Sequence, residues 1–337
     1  DLAGRATVVG SADGRTAWVL APEADDRGRH LRVRCVTDGK LTADTVVPLA
    51  GELAGRPVAL GRSVLIPVAN GYVYRFTPGD SQLMVGPLWR GDASGEKPQC
   101  YLTPLGADEF LATNGGRRFL RWRWPVGMKH EKAGGYWEAR EPIAVPVAVV
   151  GPADRLQFLS LDVTGMAFLF DADKPGTVPV RRWHGGGDKP KSKDGQADTG
   201  RTDEDKPAIP PGKPAGPPIT VAAGGRTLVV YSIEGKHLVA LDPAQAEPAW
   251  VRRELAPPAA GALIGWNASG SRLIVTDQAG QVIALDAATG KDLARSPVPP
   301  AGTIAVAPAI PLGAGALVVL ADGSAATVPL PSAGPND

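Results

Sequence analysis

The side chains in this 337-residue chain that could carry chemistry are few and scattered. Its four histidines, His30, His130, His184 and His237, are candidate ligands for a transition metal, but no two stand at the short spacing such a site uses. The adjacent carboxylates Asp25-Asp26 offer oxygen to calcium, yet no glycine-spaced partners follow them, so the pair reads as a solvated loop. Cys35 and Cys100 fall on different expected strands and are too few for a disulfide framework; two reduced, mostly buried thiols are expected. Gly-x-Ser-x-Gly, the phosphate-binding glycine loop and His-Glu-x-x-His are all missing from the sequence. No catalytic, cofactor-binding or metal-ligating residue is therefore expected, and the chain reads as a non-enzyme.

One basic and aromatic cluster stands out, Arg117-Arg-Phe-Leu-Arg-Trp-Arg-Trp124. It could stack single-stranded nucleic acid or an anionic glycan. Read as a strand, alternation puts Leu120, Trp122 and Trp124 on one side and Phe119, Arg121 and Arg123 on the other. Arginines on such a face can pair with acids of a neighbouring sheet. The balance of 36 Lys and Arg against 35 Asp and Glu favours the strand, and no nucleic-acid partner is expected. No apolar run approaches the ~20 residues of a membrane-spanning helix. The chain begins at Asp1 rather than Met, which suggests a processed or excised domain and leaves open a targeting segment upstream.

The elements that must position these residues repeat along the chain. Near the C-terminus Arg272–Thr276 turns at Asp277–Gly280 into Gln281–Asp286, followed by Ala287-Ala-Thr-Gly290. One copy earlier Thr227–Tyr231 turns at Glu234-Gly235 into His237–Asp242. Seven such hairpins follow one another, at Pro22–Arg29, Asn70-Gly71, Asn114–Gly116, Asp162–Gly165, Glu234-Gly235, Asp277–Gly280 and Asp322-Gly323. Asn-Gly and Asp-Gly supply the positive φ that tight hairpins need. The glycines at 71, 116, 165, 235, 280 and 323 are spaced by 45, 49, 70, 45 and 43 residues. A period of this length, built of short strands and turns, predicts an all-β fold: a seven-bladed β-propeller of four-stranded antiparallel blades, as a single domain over residues 1–337.

The one long interval has a visible cause. Residues 185–217 are rich in Gly, Pro, Lys and Asp, with almost nothing apolar to offset their ordering entropy, and are expected to form a mobile insertion between blades four and five. The seventh blade offers only three strands, Ile304–Ile310, Ala316–Leu320 and Ala325–Leu330. An unpaired outer edge is a liability in water, so a strand from upstream residues or from a partner is expected to complete it.

Gln281-Val-Ile-Ala-Leu-Asp-Ala-Ala-Thr-Gly-Lys291 closely resembles the repeat of the pyrroloquinoline-quinone-type, or quinoprotein-like, β-propellers, and His237–Pro243 and Met166–Asp173 resemble it less closely. Quinone-dependent members of that superfamily hold their cofactor on the propeller axis, with a metal ion, a catalytic aspartate and often an adjacent cysteine pair. Here Cys35 and Cys100 are far apart, and the family's tryptophan-docking pattern is not expected to recur from blade to blade. The inner strands Val58–Leu60, Thr220–Ala222 and Val306–Ala309 carry no carboxylate. The resemblance therefore implies a non-catalytic member without a quinone, acting as an interaction scaffold in a larger bacterial protein or assembly, in the periplasm, the envelope or outside the cell. Chain direction brings second-to-third-strand hairpins and blade-to-blade connections to one rim. That rim carries the expected protein-binding residues Asn70, Tyr72, Asn114, Arg117, Trp183, His184, Glu234, Lys236, Asp277 and Gln278. The alternative is a small-molecule-binding or enzymatic site at the mouth of the axial channel.

Overall fold

In the computed structural model the described residues are 7–10, 16–25, 28–37, 40–77, 82–89, 99–124, 136–152, 154–183, 209–253, 255, 263–278, 281–297, 305, 308–312, 315–320 and 325–330. They contain strands and turns, grouped into six four-stranded sheets and one of three strands. Sheet one comprises β1 Thr7–Gly10, β2 Thr16–Asp25, β3 Gly28–Thr37 and β4 Lys40–Pro48. Sheet two comprises β5 Val58–Leu60, β6 Ser63–Pro67, β7 Tyr72–Phe76 and β8 Met84–Leu88. Sheet three comprises β9 Tyr101–Pro104, β10 Glu109–Thr113, β11 Arg118–Arg123 and β12 Tyr136–Glu138. Sheet four takes β13 Ala148–Val150, β14 Gln157–Leu161, β15 Ala167–Asp171 and β16 Arg181–Trp183. Sheet five takes β17 Pro214–Ala223, β18 Arg226–Ile233, β19 His237–Leu241 and β20 Pro248–Arg252. Sheet six takes β21 Leu263–Ser269, β22 Arg272–Asp277, β23 Gln281–Asp286 and β24 Asp292–Pro297. Sheet seven has β25 Ile310–Leu312, β26 Gly315–Val319 and β27 Ala325–Pro329, with no fourth strand among the described residues.

Consecutive strands pair as antiparallel neighbours, so each sheet is a meander whose local register is set by its own hairpins. Second strands show the packing most plainly. Every residue of β6 is buried, as is every residue of β18 from Leu228 onward, because both faces of the strand meet a neighbouring sheet. Such strands read as continuous apolar runs, whereas the outer β24 has no buried residue.

Two compact units divide the chain, Asp1–Leu156 with Asp171–Val178, and Gln157–Phe170 with Pro179–Asp337. In the first, Trp18, Leu20 and Val33 of sheet one pack with Val64, Ile66 and Phe76 of sheet two. On the other side of sheet two, Leu65 and Val73 meet Leu102, Phe110 and Trp124 of sheet three. In the second unit Val230 and Ala240 of sheet five pack with Leu273 and Ile283 of sheet six. Ile274 and Val282 then pack with Ala316 and Val318 of sheet seven. One apolar layer thus separates sheets one and two, two and three, five and six, and six and seven.

The first hairpin departs from the sequence reading. β2 and β3 stay in register out to Asp25 and Gly28, so the segment Pro22–Arg29 is mostly strand rather than turn. The insertion expected over 185–217 also ends earlier. Residues 184–208 lie outside the described ones, but Ile209 is buried and β17 already begins at Pro214, paired with Ile233 of β18. The proline-rich composition hid this strand, which reaches its main register only after a bulge between Ala215 and Ile219. His130, His184, Gly280 and Asp322-Gly323 likewise lie outside the described residues. Cys35 and Cys100 are free and buried.

Candidate partner-binding hairpins

Four of the hairpins between second and third strands, in sheets two, three, four and six, carry a polar residue whose side chain is committed to its own turn. Asn70 Oδ1 accepts the amide of Tyr72 at 3.1 Å, and Asn114 Oδ1 that of Gly116 at 2.9 Å. Asp162 Oδ1 accepts the Thr164 amide at 2.9 Å, the Thr164 hydroxyl at 2.6 Å and the Met166 amide at 3.1 Å. Asp277 Oδ1 accepts the Gln281 amide at 2.8 Å. Asn and Asp favour turns for this reason: their short side chains replace backbone partners that the reversing chain cannot provide. Sheet five uses another device. Glu234, the one non-glycine at positive φ among the described residues, accepts the Lys213 amide on Oε1 at 2.5 Å and donates its own amide to Lys213 O at 2.9 Å. The hairpin thereby clasps the chain entering β17.

The ten expected binding residues separate on this evidence of packing. Asn70, Tyr72, Asn114, Arg117, Glu234, Lys236 and Gln278 keep solvent-accessible surface at their hairpins, with Tyr72 at 38%. Trp183 is 2% exposed and Asp277 is 0% exposed, so neither offers its side chain to a partner. His184 is outside the described residues.

The arginine cluster of sheet three is an ion-pair network. Arg117 meets Glu141 at 3.6 Å and Arg118 meets Glu138 at 4.0 Å. Arg123 meets Glu109 at 2.5 Å and Asp108 at 3.7 Å. Arg121 binds Glu109 beside it on β10, reaches Asp173 at 3.2 Å, and donates to Ala172 O at 2.7 Å. Four arginines facing five acids leave little net field for a polyanion.

Burial of Glu109 raises its pKa, but the hydrogen bonds and charges of Arg121 and Arg123 outweigh this and hold the carboxyl below its ordinary range. The folded chain therefore binds fewer protons here than the unfolded one. The stabilisation is present above the unfolded value of about 4.3 and is lost as pH falls through the folded value. Urea midpoints should drop between about pH 5 and pH 3, and Glu109→Gln should flatten that slope. An identical slope in the variant would remove Glu109 as its source.

A family model described as outer membrane protein assembly factor BamB matches residues 216–309 and, overlapping them, residues 237–328. The C-terminal sheets carry PQQ-type β-propeller repeats. No curated protein matches the sequence significantly. Among solved structures, BamB from Moraxella catarrhalis aligns with a TM-score of 0.61 at 16% identity, over 98% of this chain and 84% of that one. The C-terminal WD40 domain of Sif2 aligns with a TM-score of 0.62 at 10% identity, over 97% and 81%. BBS1N, solved in complex with ARL6DN, aligns at 0.58 and 11% identity, over 97% and 91%. At these identities the likeness concerns the fold, which is that of a β-propeller.

Within the PQQ-type repeats, Asp286 Oδ1 accepts the Thr289 amide and hydroxyl, both at 2.7 Å, and Gly290 takes φ 69° to close the turn. Onto this turn of sheet six docks Trp250 from β20 of sheet five, its indole N–H donating to Ala287 O at 2.9 Å. A β-carbon on Gly290 would lie 2.7 Å from that ring. Trp137 of sheet three docks in the same manner, donating to Asp171 O at 3.0 Å and Lys174 O at 3.1 Å in the turn after β15. Tryptophan docking, not expected to recur from blade to blade, occurs at these two places among the described residues. Trp89 does otherwise, bonding Tyr72 O in its own sheet.

Proposed function

We propose that this chain is a seven-bladed β-propeller scaffold without catalytic activity, binding protein partners through the hairpin end of its blades as part of a bacterial envelope or secreted assembly. The observation that carries the reading is the hairpin chemistry. Turn backbones are satisfied from within, while Tyr72, Arg117, Lys236 and Gln278 remain at the surface on rigid supports. The family description, an outer membrane protein assembly factor, and a structural neighbour solved in complex with a protein partner, BBS1N with ARL6DN, support it. Sheet seven enters the same proposal: a strand from a partner, or from sequence preceding Asp1, pairs with the outer edge of β27.

Cross-linking mass spectrometry on the tagged protein in its native host tests this. Links from a partner to the hairpins or to β27 are expected. The combined variant Tyr72→Ala, Arg117→Glu, Lys236→Glu and Gln278→Ala should keep its thermal midpoint and lose ~10-fold or more in partner capture, which is about 1.4 kcal/mol. Capture unchanged in a folded variant would sink the hairpin reading.

A further inference from the structure

Beneath the hairpin of sheet four lie two polar atoms that the turn does not use. Asp162 is fully buried; its Oδ1 takes all three turn donors, and its Oδ2 has no hydrogen-bond partner among the described residues. Ser160 is fully buried as well, and its hydroxyl has no such partner either. Asp162 continues the extended backbone of β14, its amide bonding Met166 O at 3.1 Å. Residues two apart on an extended chain share a face, so Ser160 and Asp162 point the same way. Their α-carbons stand ~7 Å apart, a separation that two short side chains do not close but that one water molecule spans.

We infer that an ordered water molecule binds between Ser160 Oγ and Asp162 Oδ2 and completes the hydrogen bonding of this hairpin. Buried polar atoms are almost always satisfied, and a carboxylate oxygen left dry is among the costliest exceptions. Ser160 and Asp162 supply only two side-chain oxygens, whereas a hard cation takes six or more ligands, so the ligand is water. The water anchors the carboxylate from below while the turn amides hold it from above. Glu234, at the equivalent hairpin of sheet five, needs no such anchor because it stands at the surface and binds Lys213.

A high-resolution crystal structure of the intact chain, alone and as Ser160→Ala, tests this. The expected result is a density peak ~2.6–3.2 Å from both oxygens in the parent and loss of that peak in the variant. Three outcomes would overturn it: no peak in the parent, a direct bond from Ser160 to Asp162, or a peak with contacts of ~2.4 Å marking a cation.

Discussion

Trp250→Ala should cost the chain ~4 kcal/mol, read as a lowered urea midpoint with little change in slope. The indole is only 6% exposed and belongs to the apolar layer between sheets five and six. Truncation removes its contacts with the Gly290 turn and leaves a cavity that the surrounding β-sheets cannot collapse to fill. It also strips Ala287 O of its buried donor. Trp250→Phe separates the two parts: it keeps a ring on Gly290 but removes the N–H, and should cost about 1–2 kcal/mol. Equal losses in both variants would mean that the hydrogen bond, not the packing, carries the docking.

Gly55→Ala is the second large effect, and it acts on backbone. A β-carbon there would stand 1.9 Å from Cys100 O, a contact no rotamer change relieves. The same approach is fixed by the Cys100 amide bonding Ala54 O at 2.8 Å and the Ala54 amide bonding Pro67 O at 2.9 Å. Room for the methyl group must come from parting sheet two from the chain that leads into sheet three, at a cost of about 3 kcal/mol or more. Gly106 is the control: a β-carbon there meets nothing within 4 Å, and Gly106→Ala should shift stability by no more than ~0.5 kcal/mol. If the two substitutions behave alike, close backbone approach is not what selects Gly55.

The sheets were legible in the sequence because their information is local. Alternation, hairpin glycines and the Asp-x-x-Thr-Gly turn each act within a few residues, and the structure places strands on either side of Gly71, Gly116, Gly165 and Gly235. What escaped depends on partners distant in the chain. Trp137 and Trp250 follow connections of unequal length, from Arg123 to Tyr136 in sheet three and from Leu241 to Pro248 in sheet five, so no fixed spacing reveals them. Arg121 was legible as an arginine pairing with an acid of the neighbouring sheet, as it does with Asp173 in the turn after β15, but its second partner, Glu109 across its own sheet, was not. Among the candidate residues, Asp277 looked like a surface carboxylate because turns are usually wet. Its burial follows from the face it shares with Leu273 and Val275, which belong to the apolar layer between sheets five and six.

The self-contained caps have an evolutionary corollary. At Asn70, Asn114 and Asp162 the residue that closes the hairpin bonds amides two to four positions further along, within the same hairpin. A substitution beside such a cap leaves the neighbouring caps intact, so the hairpins can drift one at a time under a scaffold that stays fixed. Under the proposed function, specificity is therefore free to diverge far faster than architecture, and two such proteins with superposable sheets need share no binding residue at all.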